Sequence, residues 1–143
     1  MKEKDKKKKI CYIEDHVMID NTAFINLFCF YNDFKLKMQF YIYIIKDYNI
    51  INIINILHDN TNIFIKDFLS NYIYINNTLE FNNDIIQINF NIKNNKQSIL
   101  SEIDYFKSKL ESIDITDKIL KTKIYSFIEL LNKTYYELNI IIN

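Results

Sequence analysis

The side chains that could carry out chemistry are few and scattered in this chain. Glu14, Asp15 and His16 stand together near the N-terminus, and Glu102 and Asp104 flank an apolar stripe further on. Neighbouring acids on a helix point to different sides and usually face solvent. Neither group therefore has the spacing that general acid–base catalysis needs, and we expect no enzymatic activity.

The residues that could bind a metal are also far apart. Cys11 and Cys29 belong to no CxxC motif, and the two histidines, His16 and His58, are distant in sequence. A zinc site needs such ligands to converge, and they usually come as closely spaced pairs. We expect buried free thiols in a reducing compartment, no metal and no other cofactor.

The absence of glycine and arginine excludes several classes of nucleotide- and phosphate-binding site. The 143 residues include no Gly, Pro, Trp or Arg, and 18 basic side chains balance 18 acidic ones. Phosphate-binding P-loops and dinucleotide-binding turns are excluded because they are built on glycine. No guanidinium is present to form bidentate contacts with phosphate or guanine. Phosphoryl transfer by this chain's own residues is therefore not expected.

The composition predicts one globular domain behind a charged tail. Apolar residues make up 49% and charged residues 25% of the chain, a mixture typical of folded proteins. Residues 1–9 carry six lysines and are predicted to be a disordered basic tail, with a nuclear address or nucleic-acid contact as the alternative. Residues 10–143 are predicted to form a single domain. The longest apolar run, 40–45, is too short for a membrane span, so we expect a cytoplasmic or nuclear protein that binds no membrane.

The spacing of apolar residues predicts strands in the middle of the chain. Residues 35–44 alternate between apolar and polar side chains, as in a strand with one buried face. Residues 47–58 have helical spacing, with Asp47 as the predicted N-cap. Two further alternating segments, 73–81 and 86–92, are predicted to form a hairpin.

Two amphipathic helices complete the predicted α+β fold. One spans about 96–113 with the most regular apolar stripe in the chain, and a C-terminal helix spans about 117–142. The core over 35–114 is predicted as strand–helix–strand–strand–helix, a three-stranded antiparallel sheet with both helices on one face. Residues 10–34 form an N-terminal extension with a strand or two, and 61–70 a connection.

A sheet covered on one face leaves apolar surface for another subunit. The chain contains 11 Phe and 11 Tyr, a high aromatic load for its size. We interpret part of this load as an interface with a partner protein. An ordinary aromatic-rich core is the alternative.

One stretch resembles the small dimerisation subunit of the KEOPS complex. Residues 79–90, LEFNNDIIQINF, carry the resemblance together with the following helix through Ile103, Tyr105, Phe106 and Leu110. In that family a strand, a helix, a hairpin and a long helix follow one another in the order predicted here.

This resemblance covers roughly residues 35–114 and implies a non-catalytic role. Such subunits pair with themselves or a paralogue and dock onto an ATPase-fold subunit of a complex that adds a threonylcarbamoyl group to certain tRNAs. Contact with tRNA would be indirect, or through lysines that attract phosphates, for which a solvated face is the alternative. The implied docking residues are Ile50, Ile54, Ile99, Ile103, Phe106 and Leu110. The lysines are Lys93, Lys96, Lys107 and Lys109.

Two other kinds of complex could contain this chain. One fits the predicted order of elements, and the other fits the composition. The small dimerisation subunit of eukaryotic RNA polymerases shares the order, but its HTLGN run has no counterpart where Asp47, Tyr48 and Asn49 stand. A lineage-specific scaffold subunit of a large assembly, mitochondrial or ribosomal, fits the aromatic content and the lysine tail. Zero net charge argues against ribosomal RNA as its main partner.

Overall fold

The computed structural model describes residues 10–13, 17–73 and 96–141, which form a helical body behind a short hairpin. The hairpin pairs β1 (Ile10–Ile13) antiparallel with β2 (Val17–Asp20). The helices of the described part are α1 (Asn21–Ile44), α2 (Tyr48–Phe68), α3 (Lys96–Ser112) and α4 (Lys118–Asn139). A π-helical turn, Leu69–Ile73, continues α2.

These helices pack as an antiparallel bundle in which α1 and α4 each lie beside both α2 and α3. The side-chain contacts give the directions. Lys37 in the second half of α1 reaches Glu102 in the first half of α3, whereas Lys109 near the end of α3 lies over the ring of Phe30 in the first half of α1. Each helix therefore runs opposite to the neighbours that cover its apolar stripe.

An aromatic cluster fills the centre of the bundle, with one ring from each helix. Tyr31 of α1 stacks on Phe64 of α2, with ring centroids 3.8 Å apart and planes 7° apart. It meets Phe106 of α3 and Phe127 of α4 edge-on, each at 5.0 Å. Stacked and edge-on rings add to the energy of burial. Aromatic residues that we assigned in part to an interface therefore fill the chain's own core.

Aspartates begin two of the helices. The Asp47 carboxylate accepts hydrogen bonds from the backbone N–H groups of Asn49 and Ile50, at 2.9 and 3.3 Å. Asp117 caps α4 in the same way by accepting from Leu120 N at 2.9 Å. Both side chains satisfy amide donors that have no partner within the helix, and the predicted N-cap at Asp47 is confirmed.

The predicted α+β fold is wrong, since the described body of the protein, 21–73 and 96–141, is built from helices. Residues 35–44, predicted as a strand, are the last part of α1. Within 21–73 and 96–141 the structure has no strand. The alternation placed Lys37 and Tyr41 on a polar face, but both are buried. Six buried residues of α1, and Ile45 directly after it, follow helical spacing of three and four: Phe24, Leu27, Tyr31, Phe34, Met38, Tyr41 and Ile45.

The helix α2 is longer than predicted. It continues to Phe68, within the segment 61–70 assigned to a connection, and the π-helical turn takes up the rest of that segment. Its polar residues bond to the helix's own carbonyls. Asn60 Nδ2 donates to Ile56 O at 2.9 Å, and Thr61 Oγ1 donates to Leu57 O at 2.7 Å. Side chains that favour turns in isolation are satisfied inside the helix by this geometry.

The other two predicted helices are observed at α3 and α4. The basic tail and the predicted hairpin lie outside the described residues, apart from Ile73, which ends the π-helical turn. The strand expected at the start of the resemblance to KEOPS and polymerase subunits is absent from 35–44. The α+β and tRNA-processing expectations that came with it have no support.

The Tyr31 hydroxyl has no hydrogen-bond partner in the described part of the chain, although the side chain is fully buried. Burial raises the pKa of this phenol well above its usual value. A buried polar group without a partner costs about 1–3 kcal/mol. We therefore expect Tyr31→Phe to stabilise the protein by about 1 kcal/mol, measured as a higher urea midpoint with an unchanged slope.

The matched control is Tyr41→Phe. Tyr41 is buried like Tyr31, but its hydroxyl is hydrogen-bonded to Ser98. Removing it should lower the urea midpoint. A lower midpoint for Tyr31→Phe as well would contradict an unpaired hydroxyl.

Candidate functional site

A groove of about 480 Å³ runs between α2 and α4 on the described surface, and we call it the α2–α4 groove. Its base contains Phe64 and Phe127, both more than nine-tenths buried, whose rings lie 5.8 Å apart. Its walls include Ile63 of α2 and Leu130 of α4. Two rings of the central cluster therefore also form the floor of a surface feature.

Exposed isoleucines extend the groove along both helices. Ile63 is 63% exposed, and Ile56, two helical turns earlier on the same face of α2, is 59% exposed. On α4, Ile119 is 66% exposed and stands one turn before Lys123, which lines the groove. Single exposed apolar residues are ordinary on protein surfaces, but Ile63 itself lines the groove, and Ile56 and Ile119 each stand one turn beyond its lining residues. Such a group of exposed apolar side chains marks an interaction site.

One ion pair crosses the α2–α4 groove. Lys123 Nζ of α4 lies 2.6 Å from Asp67 Oδ2 of α2, and the two side chains are 35% and 39% exposed. Asp67 Oδ1 also accepts from Asn71 Nδ2 at 2.6 Å. No other charged side chain lines this groove in the described structure. An exposed pair of this kind contributes about 0–1 kcal/mol to stability, so the fold does not depend on it.

The docking residues implied by the resemblance lie elsewhere, inside the bundle. All six are at most 3% exposed, so the structure corrects their assignment from partner contacts to core. The physical reason is that neighbouring helices cover the faces that a one-sided sheet would leave open. The residues concerned are Ile50, Ile54, Ile99, Ile103, Phe106 and Leu110.

The described lysines of the suggested tRNA contact have partners within the chain. Lys96 donates to the backbone carbonyl of residue 141, just after α4, and Lys107 donates to Asn132 Oδ1 at 2.9 Å. Lys109 lies over two aromatic rings at 5.0 and 5.1 Å. Lys93 lies outside the described residues. Phosphate binding by these lysines stays a prediction.

A polar cluster joins α1 to α3 on the opposite side of the bundle. Lys37 Nζ lies 3.1 Å from Glu102 and 3.2 Å from Asp33. Burial lowers the pKa of Lys37, but the hydrogen bond to Glu102 and the charge of Asp33 outweigh it and leave the pKa raised. Burial and the charge of Glu102 raise the pKa of Tyr41 to about 12. A lysine held in its charged form stabilises the bundle and does not act as a nucleophile or base.

The structure assembles none of the catalytic candidates within its described residues. Glu102 is bound by Lys37, Asp104 is exposed, and 14–16 lie outside the described part. Among the described residues no group of three or more His, Cys, Asp and Glu could hold a metal. Cys29 is a free buried thiol, and burial raises its pKa. None of the described helices is both long and apolar enough to span a membrane.

A second apolar patch lies on the outer side of α1, where Leu36, Phe40, Tyr43 and Ile44 meet. Tyr43 is 88% exposed. All of its lining residues belong to α1, whereas the α2–α4 groove is formed by two helices.

The groove was not predicted, because the helix predicted over 47–58 ends before the residues of α2 that line it. Ile63 and Asp67 fall in the segment assigned to a connection, and the two positions lie one turn apart on the observed helix. The available signal was the spacing of Ile56, Asn60, Ile63 and Asp67, which repeats at four, three and four residues. This stripe becomes visible only when the helix is continued past residue 60.

The comparisons with known proteins give no relative to set beside this geometry, since no family model, curated protein or solved structure matches the chain.

Proposed function

We propose that this chain is a non-catalytic dimerisation or docking subunit that binds protein through the α2–α4 groove. The observation that carries the proposal is Ile63, which stands 63% exposed beside a groove floored by Phe64 and Phe127. The chain thus presents a large apolar side chain to solvent beside an apolar channel between two helices of the described bundle.

Burial of this surface supplies the energy for binding. Covering an isoleucine side chain contributes about 1.5–3 kcal/mol, and Ile56, Ile63 and Ile119 lie along the same face. The rim is polar, with Asn60, Ser126 and the Asp67–Lys123 pair. An apolar centre with a polar rim is the usual composition of a protein interface.

The polar groups of the groove favour binding over chemistry. The Asp67 carboxylate is bound by Lys123 and by Asn71. The Thr122 hydroxyl donates to the backbone carbonyl of Lys118 at 3.0 Å. Nucleophilic catalysis needs a hydroxyl or thiol within reach of a base, and the Asp67 carboxylate and the Thr122 hydroxyl are committed to other partners. The host assembly, KEOPS-like or a lineage-specific scaffold, and the cytoplasmic or nuclear location stay predictions.

We expect Ile63→Asp to release the chain from its assembly. The new carboxylate would have to be desolvated in the interface without a partner, which is strongly unfavourable. The measurement is the size at which the chain elutes from an extract of the cells that make it. Wild type should elute well above its own 17.4 kDa, and the variant should elute as a monomer.

The matched control is Tyr136→Asp, which places the same charge at a 65% exposed position of α4 outside the groove. It should elute as wild type does, and both variants should keep the wild-type melting temperature. Elution of wild type as a free monomer, or of Ile63→Asp in the same complex as wild type, would contradict the proposal.

A further inference from the structure

We infer that the occupant of the α2–α4 groove is a second copy of this chain, related by a two-fold axis that runs along the groove. This inference rests on the proposed function and names the partner. Three observations support it: the charges of the groove, the antiparallel direction of α2 and α4, and the area of the face that the two helices form.

The charges of the groove are self-complementary. One acid, Asp67, lies on α2, and one base, Lys123, lies on α4 at the same height, 2.6 Å away. A two-fold axis parallel to the helices places α2 of each copy over α4 of the other. Asp67 of each copy then faces Lys123 of the second copy, and two reciprocal ion pairs form. A symmetric dimer requires such self-complementarity, whereas a strongly acidic or basic partner would find no net charge in the groove.

The apolar residues obey the same symmetry. Ile63 lies one turn from Asp67 on α2, and Ser126 and Phe127 lie one turn from Lys123 on α4. Because α2 and α4 are antiparallel, Ile63 of each copy comes over the Ser126–Phe127 region of the other. The exposed isoleucine of one copy thereby covers the aromatic floor of the second.

The size of the face suits a reversible dimer. Helices of 21 and 22 residues are each about 32 Å long and about 10 Å wide, so the two-helix face covers roughly 600 Å². A standard interface buries about 800 Å² on each partner. Standard interfaces range from about 600 to 1,000 Å² on each partner. The two-helix face lies at the lower end of that range, so we expect dimers that dissociate on dilution.

A charge exchange between copies tests the inference on the purified chain of 143 residues. In Asp67→Lys both groove charges are positive, and in Lys123→Asp both are negative. Within each variant the ion pair is broken, and like charges face each other across the two-fold axis. When the two variants are mixed, the heterodimer again pairs opposite charges between copies, while the pair within each copy stays broken.

Sedimentation equilibrium over a concentration series gives the expected and contrary results. Wild type should rise from 17.4 kDa towards twice that mass. Each variant alone should dimerise about tenfold or more weakly, and the equimolar mixture should recover association close to wild type. Circular dichroism of each variant checks that the helices are retained, which we expect because the exposed pair contributes little to folding.

The inference is overturned if wild type stays monomeric, if either variant dimerises as wild type does, or if the mixture fails to associate. Its failure differs from failure of the proposed function. A purified chain that stays monomeric, although Ile63→Asp releases it from a larger assembly in extract, would mean that a different protein occupies the groove.

Discussion

Phe106→Ala is expected to lower the free energy of unfolding by about 3–5 kcal/mol, the usual cost of truncating a fully buried aromatic side chain. Phe106 is 3% exposed. Its ring stacks on Phe34 at 4.2 Å and meets Tyr31 and Phe127 edge-on at 5.0 and 5.9 Å. Truncation therefore leaves a cavity that contacts rings from two other helices and cannot be filled by one local movement.

The measurement is urea unfolding followed by circular dichroism, with the midpoint and slope fitted together. The matched control is Tyr105→Ala, which removes the neighbouring aromatic ring of the same helix from a position that is 53% exposed. We expect a loss of less than about 1 kcal/mol there. Equal losses for the two variants would contradict the placement of Phe106 in the core. By the same reasoning, Phe106→Asp should unfold the chain, so loss of partners by that variant would not identify a docking face.

The helices α3 and α4 could be predicted from the sequence because their apolar residues carry the signal without ambiguity. The α3 stripe of Ile99, Ile103, Phe106 and Leu110 repeats at four, three and four residues, and every member is buried. The N-cap at Asp47 of α2 could also be predicted, since a carboxylate before an apolar stripe of helical spacing satisfies free amides. What the pattern could not indicate is that other helices, and not another protein, cover the stripe.

The strand over 35–44 was predicted wrongly because tyrosine was counted as a polar residue. Alternating Leu, Met, Phe and Ile residues in this segment match period two. The true stripe depends on Tyr31 and Tyr41, both almost fully buried, and on Lys37, which is buried because Glu102 and Asp33 neutralise it. Tyrosine and paired lysine have both apolar and polar parts, so their burial depends on partners that a local window does not contain.

The groove could not be predicted for a related reason. Its two charged residues, Asp67 and Lys123, are 56 positions apart and meet only because α2 continues beyond residue 60. Asn60 and Thr61 have a local preference for turns, which the bonds to Ile56 O and Leu57 O reverse. Tertiary packing of the apolar face of α2 thus overrides the propensity of its polar residues.

Lys37→Met is expected to destabilise the bundle by about 2 kcal/mol at neutral pH. Methionine keeps the length and apolar stem of the side chain but leaves Asp33 and Glu102 without their cation, although they are only 28% and 24% exposed. Removing one partner of a fully buried pair costs about 3–5 kcal/mol, and the partial exposure of these carboxylates reduces that figure. The comparison variant is Lys123→Met, which breaks an exposed pair and should cost less than about 1 kcal/mol.

Two further readouts separate the charge of Lys37 from its packing. The double variant Lys37→Met/Glu102→Met should regain part of the lost stability, because it removes one of the two carboxylates left without a cation and leaves only Asp33. The second readout is pH. Folding raises the pKa of Lys37 above its usual 10.5, so its contribution is complete below that pH and is lost as the pH rises through the folded-state pKa. The unfolding free energies of wild type and Lys37→Met should therefore converge above pH 10.5, whereas a constant difference at every pH would show that packing alone is responsible.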